Sequence, residues 1–274
     1  MKKAIIIPNP YKQQSVDFAK EASELLQANG CETQILDNNT EPCDDADFVI
    51  VLGGDGTILR AARRLYGKNV TFFGINFGNL GYLAEANPSN AKEALLQLVY
   101  GEYKTEERIM LEGDIIRNGK SAFSFVGLNE ASVFRSTLTH ALNLEVSING
   151  KLTETIVGDG VIVATPTGST SYNLSASGPV LTPTSGSMVI TPVSPKFFPR
   201  SSIVIDSSDE VEINVGWSKV SENGSPSIDI DGYLRQNLEN GDIIKIRKAQ
   251  HKTKIARVSD TSFYQILCQK LSRN

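Results

Sequence analysis

The segment Gly53-Gly54-Asp55-Gly56-Thr57 has residue types that suit phosphate chemistry. It follows the apolar run 49–52 and precedes apolar residues at helical spacing. A glycine turn between a strand and a helix exposes backbone N–H groups that bind phosphate, so Gly53, Gly54, Gly56 and Thr57 are candidate phosphate ligands. A carboxylate at Asp55 would repel phosphate unless it binds a metal or accepts a proton from a reacting hydroxyl. The pattern therefore favours phosphoryl transfer.

Simpler interpretations of this segment stay open. The glycines also suit an ordinary tight turn, and Asp55 also suits a cap for a helix that starts near Thr57. Arg60 lies one turn into that helix, where it can reach a phosphate or lie on a solvated face.

A second segment, residues 158–175, offers many hydrogen-bonding groups. After Asp159 and an apolar run it continues as Thr165-Pro166-Thr167-Gly168-Ser169-Thr170-Ser171-Tyr172-Asn173-Leu174-Ser175. Such a loop presents donors and acceptors to a polar ligand. The residue types fit equally well a loop whose hydroxyls satisfy their own backbone.

Three weaker signals accompany these segments. The dipeptide Asn129-Glu130 indicates nothing by itself, and His140 is one of only two histidines, for which a structural role is the default. Residues 76–82, which include Tyr82, directly follow an apolar run. Because the carboxyl ends of parallel strands meet at one edge, this segment is predicted to face the glycine turn across one crevice.

These segments need a scaffold, and the first hundred residues alternate between two patterns. Apolar runs occur at 4–7, 35–36, 48–52 and 70–75, and helical spacing occurs at 15–28, after residue 56 and at 91–99. Such alternation predicts an α/β N-terminal domain, residues 1–105, with a mostly parallel sheet covered on both faces.

Beyond residue 108 the pattern changes to alternation with period two. It is clear at 109–117, 144–148, 211–215 and 243–246, and the dipeptides Asn118-Gly119 and Asn149-Gly150 are typical of hairpin turns. We therefore predict a larger β-rich C-terminal domain at 106–258. Residues 262–271 show helical spacing again, so the segment 259–274 is predicted to return as a C-terminal helix that packs on the first domain.

Composition excludes several classes of function. The 274 residues carry a formal net charge of −4, which gives no electrostatic reason to expect nucleic acid or an anionic membrane surface. Cys31, Cys43 and Cys268 lie far apart without metal-ligand spacing, which favours free thiols in a reducing cytoplasm. No apolar run has the length of a signal peptide or of a membrane span, so we expect a cytoplasmic protein.

Taken in order along the chain, these motifs resemble the NAD kinase family. The matching segments are 53–57, 74–83, 129–130 and 158–175. The first is shared with lipid kinases and phosphofructokinases, whereas 165–172 is specific to NAD kinases. The resemblance implies phosphorylation of the 2′-hydroxyl of the adenosine ribose of NAD, with ATP as donor, a divalent metal (Mg or Mn), and assembly as a homodimer or homotetramer.

The resemblance also implies roles for individual residues. Asp55 would be the catalytic proton acceptor, although a carboxylate is a weak base towards a hydroxyl, so orientation and late proton acceptance fit the chemistry better. The implied substrate-binding residues are Asp55, Gly56, Arg60, Tyr82, Asn129, Glu130, His140, Asp159, Thr167, Thr170, Ser171, Tyr172, Asn173, Leu174 and Ser175.

Some positions depart from the family pattern, and two rival functions stay open. Ser171 stands where alanine is common, Ser177 replaces a glycine, Lys196 stands where histidine is frequent, Val157 occupies an often basic position, and Tyr233 stands where glutamine is often found. These departures leave the choice between NAD and NADH open. The sequence does not identify the metal ligands, and it does not show whether polyphosphate replaces ATP as the donor. The rivals are a lipid or sugar kinase on the same glycine turn, and a module that binds NADP without turnover.

Overall fold

The chain folds into two compact units. The computed structural model describes residues 1–37, 41–78, 81–135, 141–197, 201–217 and 225–272. The α/β unit comprises Met1–Glu107 and Thr253–Asn274, and the β unit comprises Arg108–Lys252.

The strands, in chain order, are β1 (Lys2–Pro8), β2 (Cys31–Ile35), β3 (Phe48–Leu52), β4 (Thr71–Ile75), β5 (Lys104–Arg108), β6 (Leu111–Arg117), β7 (Lys120–Gly127), β8 (Glu130–Phe134), β9 (Leu142–Ile148), β10 (Lys151–Gly158), β11 (Gly160–Ala164), β12 (Ser187–Val193), β13 (Ile203–Asp206), β14 (Val211–Trp217), β15 (Ser227–Ile230), β16 (Leu234–Asn237), β17 (Ile243–Lys248) and β18 (Thr253–Arg257). The helices are α1 (Gln13–Ala28), α2 (Asp55–Arg64), α3 (Ala91–Tyr100), α4 (Tyr172–Ser175) and α5 (Phe263–Leu271).

The α/β unit is built on a six-stranded sheet in the order β2-β1-β3-β4-β18-β5. β1 pairs in parallel with β2 and β3, and β4 pairs in parallel with β3 and β18. β3 is buried along its whole length, as expected for a parallel strand covered on both faces. The apolar sides of α1 and α3 share one core with the sheet, and α2 contacts β3 and β4.

The strand order creates a crevice at one edge of this sheet. The chain passes from β1 to β2 on one side and then returns to β3 on the other side of β1. At such a reversal the connections leave the carboxyl ends of the two central strands in opposite directions, which leaves a ligand-binding crevice between them. The glycine turn that follows β3 leads into α2 at Asp55, so the topology brings the turn to this crevice.

Three local details differ from the sequence-based expectations. β2 is Cys31–Ile35 rather than the run 35–36, because polar residues pair with β1 at the sheet edge. α2 begins at Asp55 rather than near Thr57. β18, which alternation had assigned to the β-rich part of the chain, pairs with β4 in the first sheet, because residue types alone do not determine which sheet a strand joins.

The β unit contains two six-stranded sheets whose described pairings are antiparallel. Their orders are β10-β9-β14-β17-β6-β7 and β13-β12-β11-β8-β15-β16. Two hairpins turn at Asn-Gly dipeptides as predicted: Asn118 and Asn149 have φ values of 52° and 51°, and each is followed by a glycine with φ of 74°. Positive φ at both positions is the geometry of a type I′ hairpin turn.

Alternate residues of both sheets form a single core in the β unit. It includes Leu144 and Ile213 from the first sheet and Val133 and Val163 from the second. β11 is buried on both of its faces, because Ile162 and Ala164 pack in a smaller cluster with Ala176 and Leu181. The segment that follows β11 therefore covers the outer face of the second sheet.

The C-terminal helix α5 belongs to the α/β unit. Its start is fixed by a capping box between Ser262 and Gln265, and Ile266 is buried. The prediction of an α/β domain with a mostly parallel sheet, a β-rich domain and a C-terminal helix is confirmed. Among the described residues no helix combines the length and apolar character needed to cross a bilayer.

Candidate functional site

The glycine turn leads directly from β3 into α2. The Gly53 N–H donates to the Ile75 carbonyl oxygen at 2.8 Å, which ties the turn to the neighbouring strand β4. A Cβ on Gly53 would overlap the side chain of Thr57, so glycine is required there. Because the first N–H groups of a helix have no intrahelical acceptor and lie at its positive end, the start of α2 can bind an anion.

The Asp55 carboxylate is held by the segment that follows β4. Its Oδ2 accepts the Tyr82 N–H at 2.8 Å and its Oδ1 accepts the Leu83 N–H at 3.1 Å. A Cβ on Gly81 would overlap this carboxylate, so the backbone approaches it closely only because residue 81 is glycine. Gly54, not Asp55, occupies the N-cap position and α2 has no side-chain cap hydrogen bond, so the capping interpretation is wrong.

The segment after β4 approaches the glycine turn, as its position in the sequence predicted. A Cβ on Gly54 would lie 3.7 Å from Asn76 Oδ1. Residues 79 and 80 of this segment lie outside the described part of the chain.

Arg60 lies on the side of α2 that faces the end of β1. Together with Thr57 and Arg64 it lines a cavity of about 90 Å³ beside Pro8 and Pro10. Thr57 lies in the first turn of α2, Arg60 lies in its second half and Arg64 is its last residue. The cavity thus combines a hydroxyl with two guanidinium groups, which suit an anion.

Tyr82 is packed against the C-terminal helix. Its ring centroid lies 6.1 Å from that of Phe263 and 4.2 Å from Lys270 Nζ. Burial, and then the charge of Asp55, raise the pKa of the Tyr82 phenol. The phenol is therefore neutral at physiological pH, and its hydroxyl can donate a hydrogen bond.

A second group of candidate residues meets in the β unit around Asp231. This carboxylate accepts the backbone N–H groups of Leu128, Asn129 and Glu130 at 2.9, 2.8 and 3.1 Å. The Thr165 hydroxyl donates to the Leu128 carbonyl oxygen at 2.6 Å. The Asn129-Glu130 dipeptide is thus joined on one side to Asp231 and on the other to the hydroxyl-rich loop.

The hydroxyl-rich loop uses much of its polar capacity internally. Asn173 is fully buried, its amide donates to the Ser169 and Pro179 carbonyl oxygens at 3.0 Å each, and its Oδ1 accepts from Thr191 at 2.6 Å. The Asn173 side chain therefore fixes the loop, and its role as a ligand contact stays a prediction.

The remaining predicted residues of this loop differ in their access to solvent. Thr167 is buried and accepts from the Arg108 guanidinium at 3.2 Å, and Thr170 bonds back to the Thr167 carbonyl oxygen at 3.3 Å. Tyr172 and Ser175 are exposed, and Leu174 is half-buried. The exposed side of α4 can therefore contact a ligand.

Glu130 and Ser171 line a cavity of about 360 Å³ in the β unit. The Ser171 hydroxyl donates to Glu130 Oε1 at 3.1 Å. The ring of Tyr172, which also lines the cavity, meets Phe134 edge to face with centroids 5.2 Å apart. Burial, followed by the negative charge of Asp231, raises the pKa of Glu130 to about 8.

Asp159 lies beyond the end of β10 and is fixed from two sides. Its carboxylate pairs with the Arg135 guanidinium at 2.8 Å, and its N–H donates to the Val193 carbonyl oxygen at 3.0 Å. His140 lies outside the described residues.

Several residues of these two groups carry no functional signal in the sequence. Asp231 was visible as an Asp-Gly turn signal after the alternating run 227–230, but nothing in the pattern indicated that its carboxylate would bind three N–H groups. Asp229 and Arg235, which line the same cavity, carry no sequence signal beyond their charge. The described residues contain no group of three or more His, Cys, Asp or Glu side chains that could hold a metal ion.

The chain is similar to known NAD kinases along nearly its whole length. Residues 33–103 match the family model of the ATP-NAD kinase N-terminal domain, and residues 128–258 match that of the ATP-NAD kinase C-terminal domain. An NAD kinase of Lachnoclostridium phytofermentans is 35% identical over 98% of this chain and 99% of its own length. An NAD kinase of Ruminiclostridium cellulolyticum is 34% identical over 99% of this chain and 98% of its own.

Solved structures show the same fold. Yeast NADH kinase complexed with NADH superposes with a TM-score of 0.88 at 22% identity, covering 100% of this chain and 88% of the yeast chain. An NAD kinase from Archaeoglobus fulgidus in complex with ATP superposes with a TM-score of 0.80 at 24% identity, covering 100% of both chains.

Proposed function

Because this chain belongs to the NAD kinase family, we infer that it transfers the γ-phosphoryl group of ATP to the 2′-hydroxyl of the adenosine ribose of NAD, giving NADP and ADP. The observation that carries the proposed chemistry is the environment of Asp55. A carboxylate stands at the start of α2, beside N–H groups suited to phosphate, and two backbone donors fix its orientation.

In the proposed mechanism, Asp55 orients the attacking hydroxyl and accepts its proton. Phosphoryl transfer proceeds through a loose transition state, so the proton leaves late and positioning contributes more than basicity. The N–H groups of Tyr82 and Leu83 support this role, because a carboxylate that cannot rotate directs one lone pair consistently at its partner.

The phosphates are proposed to bind at the glycine turn. Gly53, Gly54, Gly56 and Thr57 would supply backbone N–H groups, and Arg60 would neutralise charge from the first turns of α2. The cavity beside Arg60 supports this assignment, since it combines the guanidinium groups of Arg60 and Arg64 with the Thr57 hydroxyl.

The β unit is proposed to hold the dinucleotide through Asn129, Glu130, Asp159 and the exposed face of α4, including Tyr172. Tyr82 in the α/β unit would also contact the substrate. The 360 Å³ cavity supports this part of the proposal, because it combines an aromatic wall with polar groups and suits part of a nucleotide.

A divalent metal, Mg or Mn, is proposed to accompany ATP. Mg²⁺ is commonly bound through one or two carboxylates together with substrate phosphates, so a cage of several protein carboxylates is not required. Asp55 fits such a site, since each of its oxygens keeps a lone pair beyond the N–H bond it accepts. The metal would neutralise charge on the transferred group.

The direct test is to incubate the purified protein with NAD, ATP and MgCl₂ and to measure NADP with an NADP-specific dehydrogenase. Diacylglycerol and hexoses, assayed in parallel with labelled ATP, test the rival kinases. The binding-only rival requires NADP to bind while no ADP or NADP is produced. Labelling of a lipid or sugar without NADP formation would refute the proposal.

Assembly and location are proposed separately from the reaction. Self-association as a homodimer or homotetramer is proposed from the resemblance of the chain to the NAD kinase family. Sedimentation of a fully active monomer at assay concentration would contradict this. All three cysteines are free thiols, which supports a reducing compartment such as the cytoplasm.

A further inference from the structure

The cavity of the β unit concentrates carboxyl groups around one buried glutamate. Its lining includes the acids Glu130, Asp229 and Asp231, the cation Arg235, and the hydroxyls of Ser171 and Tyr172. These groups lie on β8, β15, the turn before β16, β16 itself and the start of α4, so every element around the cavity contributes a polar or charged group.

Two of the three acids have partners that stabilise negative charge. Asp231 accepts three backbone N–H groups, and Asp229 pairs with Arg235 at 3.5 Å. Hydrogen bonds and cations directed at a carboxylate favour its ionised form.

Glu130 has one partner of this kind among the described residues, the Ser171 hydroxyl. The backbone N–H of Glu130 is one of the three donors to Asp231, so it binds the neighbouring carboxylate and not the Glu130 side chain. The residue is 5% exposed, and its Oε1 accepts the Ser171 hydroxyl. Within the described part of the chain, Oε2 has no hydrogen-bond partner. A buried, unpaired charge beside a like charge is costly, and a protonated carboxyl group avoids that cost.

We propose that Glu130 is a neutral carboxylic acid in the free enzyme and that its carboxyl group donates a hydrogen bond to an uncharged oxygen of the dinucleotide. The proposal rests on the proposed function, because it takes NAD as the occupant of the cavity. Ribose hydroxyls and the carboxamide carbonyl are oxygens of this kind. In this role Glu130 resembles an amide donor rather than an anion.

The proposal fixes the sign of a pH dependence. Burial and the charges of Asp231 and Asp229 raise the pKa of Glu130 to about 8, against the opposing effect of the Ser171 hydrogen bond. The protonated fraction falls from roughly 90% at pH 7 to roughly 10% at pH 9, and apparent affinity follows the competent fraction. The Kd for NAD should therefore rise about tenfold over this interval.

The test measures NAD binding without ATP by isothermal titration calorimetry at pH 7 and pH 9. Wild-type protein should show the tenfold rise in Kd. Glu130→Gln carries an uncharged donor at both pH values, so its ratio of the two Kd values should be close to one. The test depends on the ratio of the two Kd values and not on the absolute affinity of the variant.

Two further variants separate Glu130 from other groups. Glu154 on β10 is likewise buried, with 9% of its surface exposed, and burial raises its pKa. It does not line the cavity. Glu154→Gln should keep the wild-type ratio. Ser171→Ala removes a hydrogen bond that favours the ionised form, so the midpoint of the affinity change should move to higher pH.

Two outcomes would overturn the proposal: a wild-type Kd that is equal at both pH values, or a tenfold rise that persists in Glu130→Gln. If Glu130→Gln does not fold, the midpoint shift in Ser171→Ala decides instead, and an unchanged midpoint is a refutation. NADP formation at pH 7 is measured on the same wild-type sample. NADP formed without any pH dependence of binding refutes only the protonation state, whereas no NADP refutes the proposed function.

Discussion

Replacing Gly81 by alanine tests whether catalysis depends on the position of the Asp55 carboxylate. The substitution leaves Asp55 in place and adds one methyl group beside it. Ordinary contacts to a Cβ are 3.4 Å or longer, but even the more distant carboxylate oxygen, Oδ2, would lie 2.6 Å from the new atom. The carboxylate must therefore move by about 1 Å or more, and its bonds to the Tyr82 and Leu83 N–H groups would be lost.

The size of the effect follows from this displacement. A misplacement of about 1 Å in a reacting group can reduce turnover by roughly 100-fold, equivalent to about 2.7 kcal/mol of barrier. The cost in stability should be smaller, about 1 to 2 kcal/mol, because Asp55 is partly exposed and water replaces the lost donors. The φ of Gly81 is not in the left-handed region, so backbone strain does not add to the effect.

The assay is steady-state formation of NADP, together with thermal unfolding of each variant. Gly186→Ala is the matched control, since the nearest atom to its new Cβ is Ser207 Oγ at 4.0 Å, and it should stay within twofold of wild type. If Gly81 acts through Asp55, adding Gly81→Ala to Asp55→Asn should reduce activity little further. Turnover of Gly81→Ala within a few-fold of wild type would refute the reasoning.

Asp55→Asn should lower kcat by roughly 10² to 10⁴-fold, because the amide cannot accept the proton, and kinetics with near-normal turnover would exclude the proposed role. Adenosine and AMP should have far lower kcat/KM than NAD, since binding of the nicotinamide half helps to position the ribose; equal values would favour a broader kinase. Arg117→Leu should destabilise the fold by about 3 kcal/mol in urea unfolding, because Asp242, 1% exposed, loses its bidentate partner, and an unchanged midpoint would contradict this. Finally, the pKa of Glu130 is raised in the folded state, so its contribution to stability should fall as pH rises from 4.5 to about 8. The unfolding temperature of wild type should therefore fall relative to that of Glu130→Gln over this range, and a constant difference between the two temperatures would exclude this prediction.

The sequence predicted the elements that follow local rules. Asn118-Gly119 and Asn149-Gly150 determine their hairpins through the backbone geometry that each dipeptide prefers, and Ser262 begins α5 through its side chain. The glycine turn after β3 was predicted because an apolar run is followed directly by glycines, and Gly53 is needed where the backbone approaches the Thr57 side chain closely.

Long-range pairings could not be predicted in this way. Asp231 lies 101 to 103 positions from the three N–H groups that it accepts, and Arg117 lies 125 positions from Asp242. β18 joins the sheet of the α/β unit, although the strands immediately before it in the chain, β6 to β17, belong to the β unit. Residue types report that a carboxylate or a strand is present, but the partner depends on packing that no local pattern specifies.

The two acids proposed to act on the substrate differ mainly in the hydrogen bonds that backbone N–H groups make to their carboxyl groups. Asp55 receives two N–H groups from the segment after β4, so it is an oriented acceptor. Glu130 donates its own N–H to Asp231 and receives a single hydroxyl, so its environment favours the proton. The two N–H groups orient the Asp55 carboxylate, which is proposed to accept the proton of the ribose hydroxyl, whereas the buried Glu130 carboxyl group is proposed to donate a hydrogen bond to the substrate.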